Sequence, residues 1–320
     1  MLDFAAPDIT EADIDAVAQT LRSGWITTAG ECLKLEAELA SYLDVPHVVT
    51  TSSCTAAIEI AVAHLGLAPG SRVGVPTWTF VSTALSAVRA GLMPVLLDIE
   101  PETLNLSPRS LAAATDEGLD AVIGVHFGGC AMSRDVHDVC AEAGIPLVED
   151  AAHALGATDH RGLVAGQGTA GACFSFYATK NLTCAEGGAL ATDSADLADF
   201  ARSYRLHGLS HDAWARYHPE APSGYDLLGP GIKGNLPDVL AALARSQLGR
   251  FAEMQARRRQ VVDCYRVGLK EIPGLELVPA EADPGSADHL MVVLLPESVD
   301  RDAVVTGLAG LSWIAREAVL

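Results

Sequence analysis

The sequence predicts an α/β protein whose sheet is mostly parallel and covered by helices on both faces. Three observations carry that expectation. Short apolar runs alternate with longer stretches of helical spacing. The runs are apolar almost throughout, as strands buried on both faces require. Polar residues able to do chemistry stand just after the runs, and in a parallel sheet ligands bind beyond the carboxyl ends of the strands.

Taken in order, the strands are HVVTT (47–51), RVGVP (72–76), PVLLDI (94–99), AVIGVHF (121–127), PLVED (146–150) and ACFSFYA (172–178). Between them TAAIEIAVAHLGL, STALSAVRAGL and MSRDVHDVCAEAG have helical spacing and glycine near their ends. GQGTAG (166–171) fits G-x-G-x-x-G, but a dinucleotide fingerprint must open a helix. This one leads into a strand, so it is expected to be a turn. After about residue 240 the pattern changes. A helix over 252–270 carries Arg257, Arg258 and Arg259, expected as a solvated face. GLELVP, a loop and HLMVVLLP follow, which predicts a smaller α+β unit. The expected division is a large domain over 1–245 and a small one over 246–320.

Composition bounds the function. The 320 residues carry a net charge of −20, which repels nucleic-acid backbones and anionic lipid surfaces. The seven cysteines are irregularly spaced and contain no CxxC, arguing against a disulfide framework or a cysteine zinc site. The amino terminus has neither a basic segment nor a long apolar one, so no signal peptide is expected. No charge-free apolar run reaches the roughly 18 residues of a membrane span. A cytoplasmic protein is expected, and the sequons at Asn105 and Asn181 are accidental on that view.

Four strand ends carry candidate chemistry. Glu149 and Asp150 end PLVED; an ordinary helix cap or ion pair is the competing explanation. Lys180 stands in the uncharged stretch FSFYATKNLTC, where desolvation lowers proton affinity and leaves an amine able to condense with an aldehyde. Alone, it would more commonly be a surface charge. Ser175 and Thr179 could bond phosphate oxygens. SSCTAAIEIAV presents hydroxyls and backbone N–H groups at a helix start, either a phosphate site or a plain cap. PTWTF places two aromatics after a strand, to stack on a planar ring or fill the core. His126 follows a strand and is placed near the site. His207 and His211 lie four apart around glycine and serine, with no metal motif. A planar, phosphorylated, aldehyde-bearing cofactor needs a phosphate cradle, a stacking ring, a carboxylate and a lysine, and these occur here in that order. Pyridoxal 5'-phosphate meets all four requirements.

The sequence resembles the DegT/DnrJ-type sugar aminotransferases, pyridoxal-phosphate enzymes of fold type I. The likeness runs from about residue 4 to 295 through SGWITTAG, SSCTAAIE, PTWTFVST, VHFGG, EDAAHALGA, SFYATKNLTCAEGGAL, RLHG and KGNLPDVLAAL. It implies a three-layer large domain, and an aminotransferase acting on a nucleotide-linked keto sugar with glutamate or glutamine as amino donor. Lys180 matches the lysine that bonds the cofactor aldehyde and shuttles a proton. Asp150 matches the carboxylate that keeps the ring nitrogen protonated. Cys54, Thr55 and Ser175 match the phosphate cradle, and Phe80, with Trp78 behind it, the stacking position. Asn235 matches the residue reaching the phosphate of a neighbouring subunit, which implies a homodimer with shared sites. His153 stands where the family usually has glutamine, facing the cofactor's phenolic oxygen. The family also continues through an HYP-type segment, whereas here DAVVTGLAGLSWIAREAVL follows. A small domain short by several tens of residues, open on the sugar side, is the resulting expectation. A non-catalytic relic or cofactor-binding regulatory subunit is then an alternative. A sugar dehydratase is another, although family members of that kind replace the lysine that Lys180 retains.

Overall fold

The computed structural model describes residues 6–210 and 225–310. His211 and the last ten residues lie outside them. In chain order the elements are α1 (Glu11–Ser23), α2 (Gly30–Leu43), β1 (His47–Thr51), α3 (Cys54–His64), β2 (Arg72–Pro76), α4 (Val81–Arg89), β3 (Met93–Leu97), α5 (Pro108–Asp116), β4 (Ala121–Val125), α6 (Arg134–Ala143) and β5 (Leu147–Asp150). The short pair β6 (Thr158–Asp159) and β7 (Gly162–Leu163) precedes β8 (Ala172–Ser175), β9 (Gly188–Thr192) and α7 (Ala195–Tyr204). Then come α8 (Asp238–Leu248), α9 (Phe251–Leu269), β10 (Glu276–Val278), β11 (Val292–Leu294) and α10 (Arg301–Gly310).

Seven strands form one sheet in the order β1-β9-β8-β5-β4-β2-β3. Pairing is parallel from β3 through to β8, and β9 alone runs the other way, antiparallel to both β8 and β1. All six runs read as strands are strands, with ends trimmed by a few residues. GQGTAG is a turn before β8, with positive φ at Gly166, Gly168 and Gly171.

Side-chain alternation along the strands fills both faces. Val148 and Cys173 pack with Ile58, Ile60 and Ala61 of α3 and with Leu197 and Ala201 of α7. Their sequence neighbours point the other way: Leu147 meets Val136 and Cys140 of α6, and Phe174 meets Leu35 and Leu39 of α2. This is the three-layer arrangement expected. The buried Arg205 of RLHG ties α2 to β1, donating to the Glu36 carboxylate at 2.6 Å and the Thr50 carbonyl at 2.5 Å.

The helix start at Gly30 has no capping side chain of its own. Asp238, at the start of α8, supplies one from a distance, accepting from the N–H groups of Ala29 (2.7 Å), Glu31 (3.1 Å) and Cys32 (3.1 Å). The boundary expected at 245 falls inside α8. Beyond it, α9 is followed by the antiparallel pair β10–β11. Here one expectation is corrected. Only Arg257 faces solvent. Arg259 pairs with Asp288 at 2.6 Å and donates to the carbonyls of Asp283 and Ser286, while Arg258 is half-buried and donates to the Asn181 carbonyl. The acceptors of Arg258 and Arg259 are backbone carbonyls and one carboxylate from segments distant in sequence, which leave no signal in the run itself.

Candidate active site

The site is assembled at the carboxyl ends of β2, β4, β5 and β8. Asp150 ends β5 on the α3/α4 side and is nearly fully buried. Its Oδ2 accepts from the Thr83 hydroxyl at 2.7 Å. Its Oδ1 accepts from the Ala152 N–H at 3.2 Å and, more weakly, from the Cys54 thiol at 3.7 Å. Burial pushes the carboxyl upward, against these donors and the nearby Lys180 ammonium. A buried carboxylate with that much affinity for a proton suits a partner that brings one.

Lys180 lies in the loop after β8, and its N–H closes a turn onto the Tyr177 carbonyl at 2.9 Å. Burial lowers its proton affinity, partly offset by Cys54 and Asp150. An amine so placed is unprotonated over a wider pH range than a surface lysine, as a nucleophile needs. His153 is neutral, driven by burial and by Lys180 to about 3. Its Nδ1 accepts from the Gly128 N–H at 3.3 Å, so the ring proton sits on Nε2 as a free donor.

The helix start at α3 lies beside these groups. Ser53 caps it by accepting from the Ala56 N–H at 3.1 Å. The amides of Cys54 and Thr55, in the first turn, have no acceptor within the helix. Gly188 on β9 brings Ser175 next to them: the two residues pair across β8 and β9, and a Cβ at Gly188 would lie 2.5 Å from Ser53 and 2.6 Å from the Cys54 nitrogen. Only glycine permits that approach. The Cys54 thiol does not join this cradle; it turns to the Cys173 carbonyl at 3.1 Å and to Asp150. Phe80 stands at the start of α4, largely exposed, whereas the half-buried Trp78 packs edge-on against Phe127.

The sequence profile of the DegT/DnrJ/EryC1/StrS aminotransferase family matches residues 7–312. The chain belongs to that family. It is 39% identical over 312 residues to the spore coat polysaccharide biosynthesis protein SpsC of Bacillus subtilis, covering 96% of this chain and 80% of that one. Its fold superposes on the PMP form of a sugar aminotransferase from Streptococcus pneumoniae with a TM-score of 0.90, at 29% identity over 100% of this chain and 86% of the other. It also superposes on the aminotransferase TlmJ of Streptoalloteichus hindustanus with a TM-score of 0.87, at 29% identity over 99% of this chain and 85% of the other. The family is pyridoxal-phosphate dependent.

The residues of this aminotransferase fit that cofactor. The donor set offers a buried carboxylate, a desolvated amine, a free imidazole N–H and a cradle of helix amides with a serine hydroxyl, which together match its ring nitrogen, aldehyde, phenol and phosphate. Lys180, Asp150, His153, Thr55 and Ser175 are brought to the same strand ends. Asn235 is engaged by Thr28 of its own chain, in a segment whose Gly234 carbonyl accepts from the Ser52 N–H beside β1. His126 abuts Asp150 only through its backbone; its ring is fully buried towards α6, where Nδ1 accepts from the Met132 N–H at 3.1 Å. Two residues escaped the sequence analysis. Thr83 reads as an ordinary hydroxyl within a helix, and His289 as the edge of an apolar strand. Among the described residues no helix is long and apolar enough to cross a membrane.

Proposed function

We propose that this aminotransferase moves an amino group from glutamate or glutamine to a nucleotide-linked keto sugar. The observation that carries the reading is the convergence of a buried carboxylate at Asp150, a desolvated amine at Lys180 and a neutral imidazole at His153, in a chain of this family. The polysaccharide role in the name of the Bacillus subtilis relative supports a sugar acceptor.

Pyridoxal phosphate, when bound, supplies an aldehyde that takes up the amino group and a ring that withdraws electrons from the bonds being broken. Everything else falls to the protein. Asp150 would hold a proton on the ring nitrogen, itself oriented by Thr83 and the Ala152 amide. The Lys180 Nζ would anchor the aldehyde and then carry a proton between substrate and cofactor carbons. The His153 Nε2–H would donate to the phenolic oxygen. The amides of Cys54 and Thr55, with Ser175, would hold the phosphate, and Phe80 would cover the ring. Asn235 is read as serving the partner subunit's phosphate, so the active species is a homodimer with shared sites. The large cofactor-binding unit is taken as 1–245 and the small unit as 246–320. A cytoplasmic location accords with seven free cysteines, six of them buried. Lys180 speaks against the dehydratase reading.

The test is a pair of half-reactions on purified protein loaded with pyridoxal phosphate. Glutamate should convert the cofactor to its amino form, and a keto-sugar nucleotide should convert it back. Sedimentation in the same buffer should give a dimer. Failure of the first half-reaction would remove the transaminase reading; failure of the second alone would remove the sugar; a monomer would remove the shared site.

A further inference from the structure

The segment 283–290 of the small unit crosses the floor of the site at Gly128–Gly129. Ala287 donates to the Gly129 carbonyl at 2.9 Å and Leu290 to the Gly128 carbonyl at 3.0 Å. A Cβ on Gly129 would lie 2.9 Å from the Asp288 nitrogen and 3.0 Å from that of His289, so this crossing needs the glycine, whose φ is also +103°. Three further contacts fix the segment. Arg259 holds Asp288 at 2.6 Å, and both Asn181 and Gln255 donate to the Ala287 carbonyl, at 2.7 and 3.0 Å.

This network assigns the protons on His289. The Asn181 amide nitrogen is committed to the Ala287 carbonyl and to Gln255 Oε1, so Asn181 Oδ1 is an acceptor. Nδ1 of His289 lies 2.9 Å from that oxygen and is therefore the protonated nitrogen. Its ring then lies against His153, with centroids 4.3 Å apart and planes inclined at 36°. His153 also neighbours Phe127, with centroids 6.0 Å apart. His153 thus has a second imidazole and an aromatic ring as neighbours, with Nδ1 tied to Gly128.

We propose that His289 is a positioning residue: its ring face holds His153 in the orientation and tautomer that leave the His153 Nε2–H free for the cofactor's phenolic oxygen. The inference rests on the reading of His153 given above. The charged and titratable groups acting on His289 are His153, Lys180 and Arg258, and with burial they keep it neutral. Two neutral rings can lie face to face where two imidazolium ions would repel. The small unit thereby sets a hydrogen bond in the large one.

The test uses holoenzyme and three variants, His289→Ala, His289→Phe and His153→Ala. Ring-nitrogen NMR reads the tautomer and titration of His153; visible absorbance against pH reads the bound cofactor. In His289→Ala the His153 titration should rise by about one pH unit or more toward the ordinary histidine value, with mixed tautomers. His289→Phe, which keeps a flat ring, should restore the wild-type pattern. A wild-type His153 signal in the alanine variant would overturn the proposal, as would equal disturbance by alanine and phenylalanine. His153→Ala tests the underlying reading separately: an unchanged cofactor absorbance profile would remove His153 from the phenolic oxygen, whatever the His289 variants show.

Discussion

Lys180 is one of four lysines in the chain, with Lys34, Lys233 and Lys270. Lys34 is exposed and paired with Glu31 at 2.8 Å. Burial lowers the proton affinity of Lys180, which favours the free amine that a nucleophile needs. Borohydride reduction of the loaded protein, followed by peptide mapping, should place the label on Lys180, and Lys180→Ala should bind cofactor without it. A label on any other lysine ends the assignment. Asp150 invites a second substitution. Asp150→Asn keeps the shape and the Thr83 contact but removes the charge that would stabilise a protonated ring. Conversion of the cofactor by glutamate in a single turnover should slow by roughly 100-fold or more, about 3 kcal/mol. A wild-type rate would reduce Asp150 to a structural cap.

The start of α2 depends on a residue some two hundred positions away, because Asp238 accepts three of its amides and is itself buried. Asp238→Ala leaves those amides unmet and should cost about 2 kcal/mol or more in urea denaturation, with Asp238→Asn milder because one oxygen remains. An alanine variant as stable as the parent would show that water replaces the carboxylate. Such long-range caps are invisible in a sequence, and their invisibility marks where reading the chain stops. The parallel strands were legible because burial on both faces leaves an unbroken apolar run. β9 was not, since GGALAT is built of small residues that suit close packing but give no strand signature. The site divides in the same way. Lys180 and Asp150 stand out as polar groups closing apolar runs. Thr83 is silent, one hydroxyl among several in α4, and becomes informative only when the fold delivers it to Asp150.

At the scale of the whole molecule, burial keeps four imidazoles among the described residues neutral: His126 and His153 at about 3, His137 at about 4, and His289 well below the usual value. Their folded values lie beneath their unfolded ones, so the stability they permit is complete above the ordinary histidine range and is lost as pH falls through it. Each should cost on the order of 1 kcal/mol near pH 5.5. Glu149, raised by burial to about 7, acts oppositely, because the folded protein holds its proton while the unfolded chain releases it. Asp150 and Asp288, also raised by burial, act in the same sense as Glu149. Four imidazoles against three carboxyls predict a net loss, read as a lower urea midpoint at about pH 5.5 than at about pH 7.5. His126→Phe should flatten the difference, and a midpoint that rises on acidification would refute the balance.

β1 sits at the sheet edge and pairs only with β9, His47 opposite Thr192 and Thr51 opposite Gly188. A ribosome delivers β1 long before β9 exists, at a pace of about 5–20 residues per second. Through that interval the first strand has helices to lean on but no neighbour in the sheet. The same late strand carries Gly188 against Ser53 and Cys54, so the helix start proposed to hold the phosphate stays unfinished until β9 docks. A nascent chain that ends short of it has neither its edge strand in place nor a closed pocket for the cofactor. On the proposed cradle, capture of pyridoxal phosphate is deferred until β9 has been made, and an occupied site would certify that the sheet is complete.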